Sequence, residues 1–259
     1  MESAQLPSLQ VRTLAKPSPV NPVLVCGLPG SGYVGKLAAD YLVSTFKAKK
    51  ISEFLSPDFP PHVNISDEGL AVRLKGELYL AETGQGSDLL VFTADAQPSS
   101  SKGEYELADA VLKSAKGLRT AEVFSLAAYI TGDFVKERRV FGTATSPEAL
   151  TRLSGNGVQV MKEGGISGMN GLMVGMAKLH GMLGFSLLGE TSGYLLDPAA
   201  SHSVLESLSK ILGIKMDLAA IEERAKEAQQ IFGQVLRMTQ QNVEEARGTT
   251  EQARPGYIA

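Results

Sequence analysis

Short apolar runs alternate along the chain with longer segments in which apolar residues recur every three or four positions. These are the spacings of buried strands and of amphipathic helices. They predict one α/β domain over residues 21–216, with a parallel or mixed sheet covered by helices on both faces. The predicted strands are 23–27, 51–55, 88–93, 122–127, 140–144, 158–161 and 185–188, with a hairpin from 70–74 and 78–81; the predicted helices are 33–46, 104–116, 170–180 and 199–212, and one that starts at 146.

A long C-terminal helix is predicted over residues 217–247. Its apolar residues step by alternating threes and fours, which is the spacing of a heptad seam. Such a seam either packs on its own domain or joins subunits. The second alternative places Ile221, Phe232 and Val235 at a contact between copies of the chain.

The two ends of the chain lack this regular pattern. Residues 1–20 are rich in proline and serine and predict a flexible N-terminal arm. Residues 248–259 are mostly polar and predict a flexible tail, because they have few apolar side chains to offset the entropy of ordering. The tail nevertheless contains Tyr257 and Ile258, an aromatic–aliphatic pair that is typical of a segment bound by a partner.

Charge and composition exclude several classes of function. The net charge of −3 provides no basic field for nucleic acid. Apolar stretches are interrupted well before the roughly 20 residues that a membrane span needs. Cys26 is the single cysteine, so no internal disulfide forms and a reducing compartment is favoured. We therefore expect a cytoplasmic protein with neither a nucleic-acid nor a membrane partner.

A glycine-rich turn after the first buried run satisfies two nucleotide-binding spacings. Gly30, Gly32 and Gly35 match the dinucleotide fingerprint, and Lys36 stands where the lysine of a phosphate loop reaches phosphate. Leu37, however, occupies the position whose hydroxyl would hold magnesium. Two interpretations remain open. Either the glycines permit a tight turn and a close approach of helix to sheet, or the turn with its lysine binds an anion.

Other catalytic patterns are weak. His62, His180 and His202 do not have metal-ligand spacing. Glu190 and Asp197 flank a strand end, but an aspartate directly before a proline is typical of a helix N-cap. We predict no catalytic residue, no metal and no cofactor.

Four motifs together carry a resemblance to a known family: GLPGSGYVG at 27–35, GMNGL at 168–172, LLGET at 187–191 and LLDPAA at 195–200. In order and spacing they resemble the archaeal branch of the proteasome assembly chaperone 2 family, over most of the chain. The resemblance implies an α/β/α sandwich related to nucleoside-phosphorylase-like folds. It also implies a homo-oligomer that acts without ATP as a proteasome assembly chaperone or adaptor.

In that family a C-terminal tail docks on the α-ring of the 20S proteasome, through a hydrophobic residue, a tyrosine and any residue. The resemblance therefore implies partner-binding roles for Tyr257, Ile258 and Ala259, with the tyrosine shifted by one position from the family pattern. The alternative function is a nucleotide- or phosphate-binding enzyme, an ATP-grasp-like ligase or an NTPase, that uses the loop from Gly30 to Lys36.

Overall fold

A computed structural model describes residues 8–132, 138–228 and 230. The strands are β1 (Gln10–Thr13), β2 (Val23–Gly27), β3 (Lys49–Leu55), β4 (Val63–Ile65), β5 (Ala71–Arg73), β6 (Gly76–Ala81), β7 (Leu89–Ala94), β8 (Glu122–Ile130), β9 (Val140–Ala144), β10 (Gln159–Val160) and β11 (Leu183–Thr191). The α-helices are α1 (Val34–Thr45), α2 (Ser101–Gly117), α3 (Pro147–Gly155), α4 (Gly168–Ala177) and α5 (Pro198–Leu212).

Nine of these strands form one mixed sheet in the order β1-β3-β6-β7-β2-β8-β11-β9-β10. The central strands β7, β2, β8 and β11 are parallel, whereas β1, β3 and β6 on one side and β9 on the other pair antiparallel. Strands β2 and β7 are buried along their whole length because helices cover both faces. The α/β sheet expected from the sequence is confirmed.

Alternate residues of β2 enter two separate cores. Val23 and Val25 pack with residues of α1, α3 and α5, whereas Leu24 and Cys26 pack with residues of α2 and α4. The sheet thus lies between two helical layers, as its side-chain alternation requires. The relation to nucleoside-phosphorylase-like folds stays a prediction.

The flexible arm predicted over residues 1–20 needs a partial correction. Gln10–Thr13 form an edge strand that pairs antiparallel with β3, with Val11 opposite Phe54. All four side chains of β1 are exposed, so backbone hydrogen bonds rather than an apolar pattern hold this strand in place. Residues 1–7 lie outside the described residues.

The prediction that residues 70–74 and 78–81 form a hairpin is wrong. Strand β5 pairs instead with β4 in a separate two-stranded sheet, and β6 pairs with β3 and β7. The chain joins the main sheet at Lys75, whose backbone N–H donates to the Asp95 carboxylate and whose carbonyl accepts from the Asp95 N–H. These two bonds direct β6 along β7 and away from β5.

The first part of the predicted C-terminal helix packs on its own domain. Residues 219–228 are helical, and Ile221 and Ala225 are only 2% and 7% exposed. Ile221 belongs to the core cluster that contains α5, while Glu222 and Lys226 form an ion pair on the exposed side. Ile221 is thus already buried within one chain, and the subunit-contact role expected of it stays a prediction. Phe232 and Val235 lie outside the described residues.

Candidate functional site

The turn between β2 and α1 contains glycines because the backbone there is closely packed. A Cβ on Gly35 would lie 2.0 Å from the carbonyl oxygen of Leu126, and one on Gly27 would lie 2.0 Å from the carbonyl oxygen of Gly35. Gly32 has a φ of 60°, in the left-handed region that glycine adopts without strain. Helix α1 therefore lies directly against β2 and β8, and the close approach expected of these glycines is confirmed.

Lys36 does not face this turn. Its ammonium nitrogen lies 2.6 and 2.7 Å from the two carboxylate oxygens of Asp40, one turn further along α1. A phosphate-loop lysine would instead extend towards the start of the helix, where the backbone N–H groups lie. This ion pair directs Lys36 the other way along the helix, and the anion-binding role considered for it stays a prediction.

A cleft of about 450 Å³ lies beside the turn, where β2 and β8 end. The chain leaves β2 towards β3 on one side of the sheet and leaves β8 towards β9 on the other. This is the topological switch point at which open α/β sheets bind ligands, and the volume suits a small molecule. Gly30 and Gly35 line the cleft, whereas Gly32 does not.

Gln97 connects the two sides of this cleft. Its Nε2 donates to the carbonyl oxygen of Pro29 over 2.6 Å, and its Oε1 accepts from the backbone N–H of Met169 over 2.9 Å. One amide therefore links the glycine turn to the first turn of α4. Because both ends of the side chain are engaged, the separation between these walls is fixed.

Two consecutive arginines bind buried acids next to the cleft. The Arg138 guanidinium lies 3.0 Å from Asp197, and the Arg139 guanidinium lies 2.6 Å from Glu190. Asp197 also accepts a hydrogen bond from the Ala200 N–H, so the N-cap predicted for it is confirmed. The pairs connect the segment before β9 to the end of β11 and the start of α5.

The sequence that forms this cleft matches the model of one protein family. The family model that matches is that of the PAC2 family, and the match spans residues 24–236. The chain belongs to the PAC2 family. The family resemblance seen in the four sequence motifs is thereby confirmed.

Relatives of this PAC2 protein include archaeal proteins of known structure. It is 34% identical to Pyrococcus furiosus PbaB, an archaeal proteasome activator, with a TM-score of 0.82 over 88% of this chain and 98% of that one. It is 30% identical to Pyrococcus furiosus PbaA, an archaeal homolog of proteasome-assembly chaperone, with a TM-score of 0.73 over 95% and 97% of the two chains. The uncharacterized protein MJ1210 of Methanocaldococcus jannaschii is 34% identical over 88% of both chains.

The remaining catalytic candidates of the PAC2 chain do not form a cluster. Cys26 is fully buried, and burial raises the pKa of its thiol well above the ordinary range. His180 Nε2 lies 3.1 Å from Asp109 on α2. Over the described ranges, no three His, Cys, Asp or Glu side chains are grouped as a metal site would require, and no helix is both long and apolar enough to span a bilayer.

Several site residues of this PAC2 protein were not predicted from the sequence. Gln97 and Asn170 line the cleft, and Arg138 and Arg139 pair with the acids beside it. Only Asn170 lies in one of the four family motifs, which is the one signal that pointed to it. The predicted partner-binding residues Tyr257, Ile258 and Ala259 lie outside the described residues.

Proposed function

We propose that this chain is an ATP-independent, cytoplasmic proteasome-binding protein, an assembly chaperone or adaptor that docks its C-terminal residues on the α-ring of a 20S proteasome. The observation that carries the proposal is the likeness to PbaB, an archaeal proteasome activator, which extends over 98% of that chain at 34% identity. The likeness to PbaA, a homolog of proteasome-assembly chaperone, supports the same class of function.

The surface near the cleft supports a protein-binding role. Tyr194, Leu195 and Leu196 are 75%, 53% and 62% exposed in the loop after β11. Ile130, at the end of β8, is also exposed and lies against this loop, since a Cβ on Gly193 would be 3.1 Å from its Cγ2. Contiguous exposed apolar side chains are typical of surfaces that bind other proteins.

The docking residues on the proposed tail are Tyr257, Ile258 and Ala259. Burial of the two large side chains contributes about 3–6 kcal/mol before the entropy of ordering is subtracted. One tail alone therefore binds weakly, with a Kd of about millimolar to high micromolar. Several tails on one homo-oligomer, facing repeated pockets of a ring, raise the overall affinity by about 10²–10⁴.

The geometry at the start of α1 does not favour the alternative that the protein is a nucleotide-binding enzyme. A nucleotide triphosphatase needs a lysine at the phosphates and a hydroxyl on magnesium. Here Lys36 is paired with Asp40, and Leu37 holds the hydroxyl position. We therefore propose binding without ATP turnover.

Association with a purified α-ring tests the proposal. The full chain should bind immobilised rings, and removal of residues 249–259 or the change Tyr257→Ala should abolish binding with the circular-dichroism spectrum unchanged. Tyr257→Phe is the matched control, because it keeps the apolar ring and should retain most of the affinity. Undiminished association after removal of residues 249–259 would assign the contact to the folded domain and overturn tail docking.

A further inference from the structure

The two-stranded sheet of β4 and β5 is left uncovered by the rest of the described chain. Every residue from 61 to 73, which together we call the arm, is exposed except Ser66, which is half-buried. Among the described residues, β4 and β5 pair only with each other. An isolated two-stranded sheet is at best marginally stable in water, so the exposure of the arm indicates that another molecule covers it.

Both faces of the arm carry apolar side chains. Directly opposite residues of an antiparallel pair point to the same face, and alternate residues of a strand do so as well. The register therefore places Val63, Ile65 and Arg73 on one face, and Leu70 and Val72 on the other. Ile65 and Leu70 are 66% and 64% exposed. Such contiguous exposed apolar side chains are typical of a surface that binds another protein.

The face that carries Ile65 has a hollow at its base. A cavity of about 280 Å³ lies there, and its walls include Phe59, Pro60, Val63 and Arg73. The apolar walls suit an aliphatic side chain. Ile65 points to the same side of the arm but lies about 7 Å further along β4 than Val63, so it does not fill the hollow of its own chain.

The arm also has opposite charges at its two ends. Asp67 and Glu68 lie in the turn at the tip, whereas Arg73 lies at the base. Neither Asp67 nor Arg73 forms an ion pair within the described part of the chain. Two arms that lie side by side in opposite directions bring each acidic tip to the other's arginine. Arms in the same direction would bring like charges together.

We propose that the arms of two copies of this chain pack against each other in opposite directions, about a two-fold axis. Ile65 of each copy enters the hollow at the base of the other arm, and Asp67 of each copy pairs with Arg73 of the other. Such a contact uses one surface twice and closes at two copies. A second copy is the occupant that the arm fits, because the projecting side chain, the hollow and both charges are all present in one chain.

The size of the arm predicts a moderate affinity. Each arm would bury roughly 500 Å², so the whole contact approaches the lower limit of about 1,000 Å² for specific interfaces. We expect a Kd of about 1–100 μM for the arm contact. It would supply part of the homo-oligomer on which the avidity of the proposed tail docking depends. Because it is measured without a proteasome, its failure and the failure of tail docking are distinguishable.

Charge exchange across the contact tests the proposal on the full chain. Arg73→Glu brings acids together, and Asp67→Lys/Glu68→Lys brings cations together. In sedimentation equilibrium each variant alone should therefore associate at least about tenfold more weakly than the native protein. An equimolar mixture of the two should recover native association, because every mixed pair again combines opposite charges. Arg119→Glu, just after α2, makes the same charge change away from the arm and should have no effect.

Native mass in each separate charge variant would overturn the proposal. A mixture that associates no more tightly than either variant alone would overturn it as well, because only contact between two arms predicts the recovery.

A single apolar substitution tests the other part of the contact. Ile65→Ser should weaken association by about tenfold, because the hollow loses its occupant, and the melting temperature of the domain should change little since Ile65 is exposed. Leu179→Ser is the matched control, because Leu179 is 81% exposed in the turn after α4, away from the arm. Equal effects of the two substitutions would contradict the assignment of the contact to the arm.

Discussion

The carboxylate of Glu190 and the guanidinium of Arg139 form a two-point ion pair beside the cleft. Glu190 accepts from Arg139 Nη2 over 2.6 Å and from Nε over 2.9 Å, and its carboxylate is 1% exposed. Hydrogen bonding from Arg139 lowers the pKa of Glu190 in spite of burial. The same guanidinium lies over the ring of Phe141, 5.2 Å from its centre.

Loss of Arg139 should therefore invert the pH dependence that Glu190 contributes. In the native protein a lowered pKa adds stability that is present above the unfolded-state value and is lost as pH falls through the folded-state pKa. In Arg139→Met, Glu190 keeps the backbone N–H of residue 139 as a donor but loses both guanidinium donors. Burial should then raise the pKa of Glu190, so its contribution becomes unfavourable as pH rises. We expect Arg139→Met to have a lower melting temperature than the native protein, and the decrease should be larger at about pH 8 than at about pH 5.

The double variant Arg139→Met/Glu190→Gln controls for lost packing. It removes the buried charge, so much of the loss at high pH should be recovered. Equal melting temperatures for the single and double variants at both pH values would show that the pair contributes only packing.

The close contact of α1 with the sheet predicts opposite effects for two helical glycines. Gly35→Ala should lower the free energy of unfolding by about 1–3 kcal/mol, because the Leu126 carbonyl cannot move without disturbing β8. Gly175→Ala on α4 has no atom within 4 Å of the added Cβ and should raise stability by about 0.5–1 kcal/mol. Urea unfolding of both variants gives the comparison, and a neutral Gly35→Ala would contradict the packing argument.

The glycine turn and the helix caps show what could be predicted from local sequence. An apolar run followed by glycines specifies a strand and a tight turn. An acid or a serine directly before a proline specifies a helix N-cap. In both cases the signal lies in neighbouring residues. This is why β2, α1 and the cap Asp197 agree with prediction. The cleft could not be predicted, because Asn170 meets the turn at Gly30 only after the sheet has formed.

Edge strands and ion pairs were also missed, for a related reason. Strand β1 has four exposed side chains, so its pairing depends on backbone hydrogen bonds. Its sequence therefore shows no apolar periodicity from which the strand could be predicted. Arg139 and Glu190 lie far apart in sequence, and nothing near either residue indicates its partner. Such long-range polar contacts follow from topology rather than from spacing.

A second charged network lies half-buried beside β3 and β6. Lys50 and Lys75 each bind both Glu53 and Glu77, at distances of 2.8 to 3.1 Å, and Tyr79 donates to Glu77 over 2.7 Å. Burial opposes ionisation of Glu77. Hydrogen bonds from Lys50, Lys75 and Tyr79 outweigh it and lower the pKa from 4.5 to about 2.

Glu77 should therefore contribute to acid sensitivity. Its stabilisation is complete above about pH 4.5 and is lost as pH falls towards 2. Because solvent screens this half-buried group, we expect the stabilisation to be about 1–2 kcal/mol. Glu77→Gln should be less stable than the native protein at about pH 7 and nearly equal to it at about pH 2. Glu82→Gln is the control, because Glu82 forms an exposed pair with Lys49 that contributes little. Parallel pH curves for the native protein and Glu77→Gln would contradict this role.

The seam of the C-terminal helix predicts different roles for its two halves. Ile221 is 2% exposed in the chain's own core, so Ile221→Ala should lower the free energy of unfolding by about 2–5 kcal/mol without changing the molecular mass in solution. Phe232 continues the same spacing beyond the described residues, and we expect it at a contact between subunits. Phe232→Glu should then reduce the mass measured by light scattering while the melting temperature of the domain changes little. A Phe232→Glu variant that keeps the native mass would show that the seam beyond Ile221 does not hold subunits together, and oligomer contacts would have to be sought on another face.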